Sequence, residues 1–101
     1  MDEEYVEAVL SLVERIPPGR VMSYGTVSAW VREATGRGSA RTVGNVMARY
    51  GGAVPWHRVV AANGRLQPGH EIESRQRLVG EGAPLRGDKV DMARANWWPD
   101  T

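Results

Sequence analysis

The groups in this chain that could do chemistry gather around one hexapeptide, Pro55-Trp56-His57-Arg58-Val59-Val60. His57 could act as a general base. Nucleophilic catalysis would also need an activatable group beside the histidine. The neighbouring side chain is instead the Trp56 indole, whose Nε1–H only donates hydrogen bonds and has no anionic form at neutral pH. The chain contains no cysteine. Disulfides and cysteine-ligated zinc are excluded with it, and two histidines, His57 and His70, are too few for a metal site. No cofactor is expected. Two readings remain for the hexapeptide: the wall of a binding pocket, or a buried strand with Trp56 as core filler and His57 as a hydrogen-bonded interior residue.

What else the chain supplies decides between them, and charge comes first. Net charge is only +1 over 101 residues, but it is segregated. Residues 1–14 hold five acids (Asp2, Glu3, Glu4, Glu7, Glu14) and no base. Residues 15–58 hold seven arginines against one acid, Glu33. Such a local cationic excess is the footprint of a phosphate-binding face. Arginine outnumbers lysine twelve to one, and its planar fork suits phosphate and base edges. Compositional bias explains a preference for arginine over lysine, but not the segregation. The length suits a single domain spanning 1–101. The acidic start and the lack of a long apolar run predict a cytoplasmic protein with no membrane contact.

The elements that must position the hexapeptide are legible from periodicity. Asp2 to Arg15 reads as an amphipathic helix with Tyr5, Val9, Leu12 and Ile16 in one row, stopped by Pro17-Pro18-Gly19. A short extended piece, Arg20-Val21-Met22, leads to Ser23, which caps a helix to about Ala34 that buries Val27, Trp30 and Val31. Gly36-Arg37-Gly38 is a turn, and Ser39 caps a helix to about Tyr50. These two helices, about 24–50, read as a helix-turn-helix. In the second, Val43, Val46, Met47 and Tyr50 lie at core spacing, while Arg41, Asn45 and Arg49 share the other face. Gly44 costs helix stability, which suggests a close approach to another helix or to a DNA backbone. Beyond the hexapeptide, Val59-Val60-Ala61 reads as a buried strand end and Ala62-Asn63-Gly64-Arg65 as a tight turn. His70 to about Gly82 is a further amphipathic pattern with Ile72, Leu78 and Val79 apolar, and Leu85, Val90 and Met92 suggest a final hairpin.

Several separated segments, in order, resemble the C-terminal domain of the O6-alkylguanine-DNA alkyltransferases. They are Val21-Met22-Ser23-Tyr24, Ala40-Arg41-Thr42-Val43-Gly44-Asn45-Val46-Met47, Pro55-Trp56-His57-Arg58-Val59, Asn63-Gly64 and Glu81-Gly82. The resemblance runs from about Tyr5 to Leu85. Those enzymes carry Pro-Cys-His-Arg-Val, and Trp56 stands where their alkyl-accepting cysteine would be. The pattern is that of the alkyltransferase-like proteins. It implies a mainly α fold with short β elements, winged helix-turn-helix-like, that binds duplex DNA containing O6-alkylguanine, extrudes the lesion without alkyl transfer and flags it for nucleotide excision repair proteins.

The resemblance also implies roles. Arg41 would fill the space left by the flipped nucleotide, and Tyr24 would press on the neighbouring phosphate and hydrogen-bond the base. Gly44, Asn45 and Arg49 would face DNA, and Pro55 and Trp56 would wall the pocket. Backbone carbonyls near Trp56 and Val59 would accept from the guanine amino group. His57, Arg58, Asn63 and Glu81 would support the motif rather than touch DNA. The sequence departs from the pattern at Arg65-Leu66-Gln67-Pro68-Gly69-His70, which lacks the family's tyrosine-serine pair and the arginine of some relatives, leaving Arg65 or His70 to substitute. Trp97-Trp98-Pro99 resembles the aromatic end of some relatives, and either packs on the domain or meets a partner. Two rivals stand beside this reading: a helix-turn-helix transcriptional regulator without lesion specificity, and a transferase or glycosylase built on His57 and Glu81. Nothing in the sequence resembles a dimer interface, so a monomer is expected.

Overall fold

The first helix, α1 (Glu3–Arg15), starts where the Asp2 carboxylate accepts the Glu4 N–H at 2.9 Å. Glu3 and Glu4 in its first turn and Arg15 in its last complement the helix dipole. The computed structural model describes residues 2–99, and in it α1 buries Tyr5, Val9, Leu12 and Val13 against the next two helices. The chain then turns at Pro17 and enters β1 (Met22–Ser23).

The hydroxyl of Ser23 accepts the Thr26 N–H at 3.0 Å and opens α2 (Tyr24–Thr35), which closes on Gly36 in the left-handed region. Ser39 opens α3 (Ala40–Tyr50) through a reciprocal capping box with Thr42. Thr42 Oγ1 also meets the Tyr5 hydroxyl at 2.6 Å, tying the start of α3 to α1. Val27, Val31, Val43, Val46 and Met47 complete this core. Trp30 packs beside it half-buried. Tyr50, expected in the core, is 42% exposed, because it ends α3 beyond the last turn packed on α2 and leans toward the acidic face of α1.

Two short 3₁₀ turns follow, Gly51–Ala53 and Trp56–Arg58, before β2 (Val59–Val60) pairs in parallel with β1, Met22 opposite Val59 and Ser23 opposite Val60. The pairing fixes the hexapeptide against the start of α2. Trp56 therefore sits in a turn, not in a buried strand. At the Asn63-Gly64 turn, Gly64 has φ +89° and packs so closely on the Val90 backbone that no side chain would fit.

A second, smaller core holds Val21, Val60, Leu66, Leu78, Ala83, Val90 and Ala95. Its cover is α4 (Glu71–Gly80), the antiparallel pair β3 (Leu85–Arg86) and β4 (Lys89–Val90), and α5 (Met92–Ala95). Two expectations are corrected here. Helix α4 packs through Ser74 and Leu78, one turn apart, and this narrow stripe leaves Ile72 78% exposed and Val79 outward. Met92 opens α5 rather than extending the hairpin. The tail divides: the Trp97 N–H donates to the Val21 carbonyl at 2.9 Å and its ring packs on the larger core, while Trp98 is exposed. No helix among the described residues is long and apolar enough to cross a membrane.

Candidate nucleic-acid interface

Helix α3 presents Arg41, Asn45 and Arg49, all exposed, along one face. Four-residue spacing places them there while Val43, Val46 and Met47 face inward. Neither Arg41 nor Arg49 has a carboxylate partner among the described residues, so their charge is available to an external anion. Gly44 lies on the same helix. A side chain there would meet no protein atom within 4 Å, so the glycine does not serve helix packing.

Beside this face opens a cavity of about 410 Å³, lined by Tyr24, Gly44, Met47, Ala48, Gly51, Gly52, Trp56, Gln67, Pro68 and His70. It lies where β1–β2 pairing brings the hexapeptide against the first turn of α2 and the end of α3. Burial pushes the Tyr24 hydroxyl above its ordinary value of 10, which keeps it a neutral donor beside any phosphate. Trp56 is held from three sides: His57 and His70 meet its ring edge-on at 6.1 and 5.7 Å, and the Arg77 guanidinium sits 5.5 Å from its ring centroid. A larger depression of about 520 Å³ beside α1 is walled by Glu3, Glu7 and Glu14 with Tyr50, and its charge repels phosphate.

Behind Trp56 lies a partly buried ionic network. The Arg58 Nη2 donates to Glu81 Oε2 at 2.6 Å and its Nε to Glu81 Oε1 at 3.1 Å, while Nη1 donates to the Ile16 carbonyl at 2.8 Å. His57 Nε2 meets Glu81 Oε2 at 2.8 Å. Burial opposes ionisation of Glu81, but hydrogen bonds from Arg58, His57 and the Gly19 N–H, with electrostatic attraction to the His57 ring, outweigh it and hold the carboxyl at about 2. This carboxylate is saturated with donors, which ties up the His57–Glu81 pair. His57 Nδ1 is buried with no partner.

Of the residues singled out in the sequence, the structure puts Tyr24, Gly44 and Trp56 on the cavity wall. Arg41, Asn45 and Arg49 lie on the adjoining exposed face. Pro55 starts the Trp56 turn, accepting the Arg58 N–H at 3.0 Å, and the Val59 side chain is fully buried. Asn63 Oδ1 accepts the Arg65 N–H, shaping the turn away from the cavity. Arg65 does not reach the cavity: its backbone pairs antiparallel with that of Lys89, and it lines a separate depression with Ile72 and Asp88. His70 lines the cavity instead.

Two residues were missed. Arg77 stands one turn before Glu81 on the side of α4 that meets the hexapeptide, so the Glu81 assignment and helical spacing could have found it. Gln67 had no such signal. Its side-chain amide donates to the Trp56 carbonyl at 3.0 Å and also to the Val59 carbonyl. The carbonyls expected to accept from a guanine amino group are therefore already engaged.

The family model described as "6-O-methylguanine DNA methyltransferase, DNA binding domain" matches residues 4–83. A DNA base-flipping protein of Escherichia coli (strain K12) is 34% identical over 101 residues, 95% of this chain and 76% of the relative. One from Vibrio parahaemolyticus is 26% identical, over 96% of this chain and 99% of the relative. The crystal structure of S. pombe Atl1 with damaged DNA containing O6-carboxymethylguanine superposes with a TM-score of 0.80 at 27% identity, over 98% of this chain and 99% of that one. A second structure of the S. pombe protein with DNA gives 0.78. With the family model matching most of the chain, and with base-flipping proteins and the S. pombe Atl1 structure matching along nearly all of it, this protein belongs to the O6-methylguanine-DNA methyltransferase family, within its alkyltransferase-like branch.

Proposed function

We propose that this protein finds O6-alkylguanine in duplex DNA, extrudes the nucleotide into the Trp56 cavity and holds it without reaction. The observation that carries this reading is the cavity itself, placed against the cationic face of α3 and walled by an indole. The O6 edge of guanine is inaccessible within the stacked pair, so a protein that reads it must take the base out. A flat apolar ring packs on a flipped base and its alkyl group but takes no alkyl from it. Arg41 enters the vacated stack, and Arg49 and Asn45 hold the backbone. A held, unrepaired lesion requires another activity to remove it, and the family resemblance implies that nucleotide excision repair is the recipient.

The test compares one duplex carrying guanine or O6-methylguanine at a fixed salt concentration, for the wild type and Trp56→Ala. The wild type should prefer the lesion and show no methyl mass gain afterwards. Trp56→Ala should lose about 1–3 kcal/mol on the lesion, the range for an aromatic stacking contact, and little on undamaged DNA. Equal wild-type affinity for both duplexes would instead favour a general helix-turn-helix binder. A stoichiometric methyl gain would make the protein an enzyme.

A further inference from the structure

Gln67 is 9% exposed, and both hydrogens of its side-chain amide are committed, one to the Trp56 carbonyl and one to that of Val59. Its Oε1 is buried with no partner. The orientation follows from chemistry, because Oε1 facing two carbonyl oxygens would be repelled, whereas Nε2 has two N–H groups to give. The arrangement is lopsided: one end of the amide is saturated, and the other sits desolvated at a cost. Both Gln67 and Trp56 line the cavity, while Val59 lies behind. Gln67 thus covers two strong acceptors, the Trp56 carbonyl at the cavity wall and the Val59 carbonyl behind it.

We propose that Gln67 is a displaceable plug that sets which bases the cavity accepts. A carboxamide NH₂ and the exocyclic NH₂ of a purine are equivalent as donors, each offering two hydrogens from one nitrogen. A base bearing that group can take over both carbonyls as Gln67 swings out, and Oε1 then gains water. A base without it leaves both carbonyls unsatisfied if Gln67 leaves, so it binds with the plug in place and stacks only on Trp56. The selected ligand class is a purine with a 2-amino group, and the plug weakens binding of that class by the cost of its own displacement. This inference rests on base extrusion into the Trp56 cavity.

The test uses the full chain and two duplexes that differ by one amino group, O6-methylguanine and O6-methylhypoxanthine. In the wild-type free protein, the Gln67 side-chain amide protons should be slow to exchange by NMR. They should become fast on binding the O6-methylguanine duplex and stay slow with O6-methylhypoxanthine. Gln67→Ala removes the plug, so the affinity ratio of the two lesions should rise about threefold to tenfold, the scale of one net hydrogen bond. Gln67→Met, of similar volume but with no donor for the carbonyls, should shift the ratio the same way and guards against a packing defect in the alanine variant. If the amide protons behave alike with both duplexes, or the ratio is unchanged or falls in a folded variant, the plug is wrong while base extrusion stands. If the wild type does not distinguish O6-methylguanine from guanine, both readings fall.

Discussion

Arg58 and the arginines of α3 are the same residue put to opposite uses. Arg58 is turned inward, forked onto Glu81 and tied to the Ile16 carbonyl, its side chain 15% exposed. Arg41 and Arg49 are exposed, with no carboxylate partner among the described residues. The inward arginine links three distant parts of the chain: α1 through Ile16, the hexapeptide, and the end of α4 through Glu81. The outward ones lie on α3, which packs through Val43, Val46 and Met47 instead. Burial and a matched carboxylate therefore separate arginines that build the pocket from arginines left for phosphate.

The largest effect expected from this contrast is on stability. Arg58→Ala strips the fork from Glu81 and leaves that carboxylate partly buried with only His57 and the Gly19 N–H as partners. Loss of one partner of such a pair should cost on the order of 3 kcal/mol, which lowers Tm by roughly 10–20 °C in a domain this small. Calorimetry that finds Arg58→Ala no less stable than Arg49→Ala would erase the distinction. The same network predicts an acid limit. The Glu81 carboxyl is held near 2 against an ordinary 4.5. Its stabilising contribution is therefore complete above about 4.5 and drains away as the pH falls toward 2. Urea midpoints across that range should converge for wild type and Glu81→Gln, having differed most at neutral pH.

A smaller effect separates the two outward arginines. Arg41→Ala removes the group assigned to the vacated stack, so extrusion, which costs a few kcal/mol, loses its compensation. A 2-aminopurine beside the lesion should no longer brighten on binding, and lesion preference should shrink. Arg49→Ala should weaken lesion and normal duplexes equally and reduce the salt slope by roughly one unit. Fluorescence and preference that survive Arg41→Ala would take the flipping role away from that residue.

The same contrast explains what was legible in the sequence. The α1–α3 region was readable because its signals are local: Ser23 and Ser39 as caps, Val27 and Val31 at helical spacing, Arg41, Asn45 and Arg49 on one face. Tyr50 escaped because a period cannot tell where packing ends. Helix α4 misled because Ile72 and Val79 are apolar yet outward, while the buried stripe contains a serine. The pocket motif was readable as a resemblance, but its wall was not. Gln67 reaches the Trp56 and Val59 carbonyls only because the loop after Gly64 folds back over β2, and Arg77 reaches Trp56 only because α4 crosses the hexapeptide. Long-range paths of this kind leave no periodic trace.

The smallest expected effect is the most diagnostic, because its two parts have opposite signs. Gly44 has ordinary helical backbone and no protein atom near its missing side chain. Gly44→Ala should therefore stabilise the free protein by about 0.5–1 kcal/mol, the gain of alanine over glycine in a helix interior. If the glycine exists so that a DNA backbone or an extruded nucleotide can approach α3 at the cavity rim, the same methyl group should weaken DNA binding. A variant that is more stable and binds less well places the DNA surface on this face of α3. One that is more stable and binds unchanged moves that surface elsewhere, and the free arginines beside Gly44 would then need another explanation.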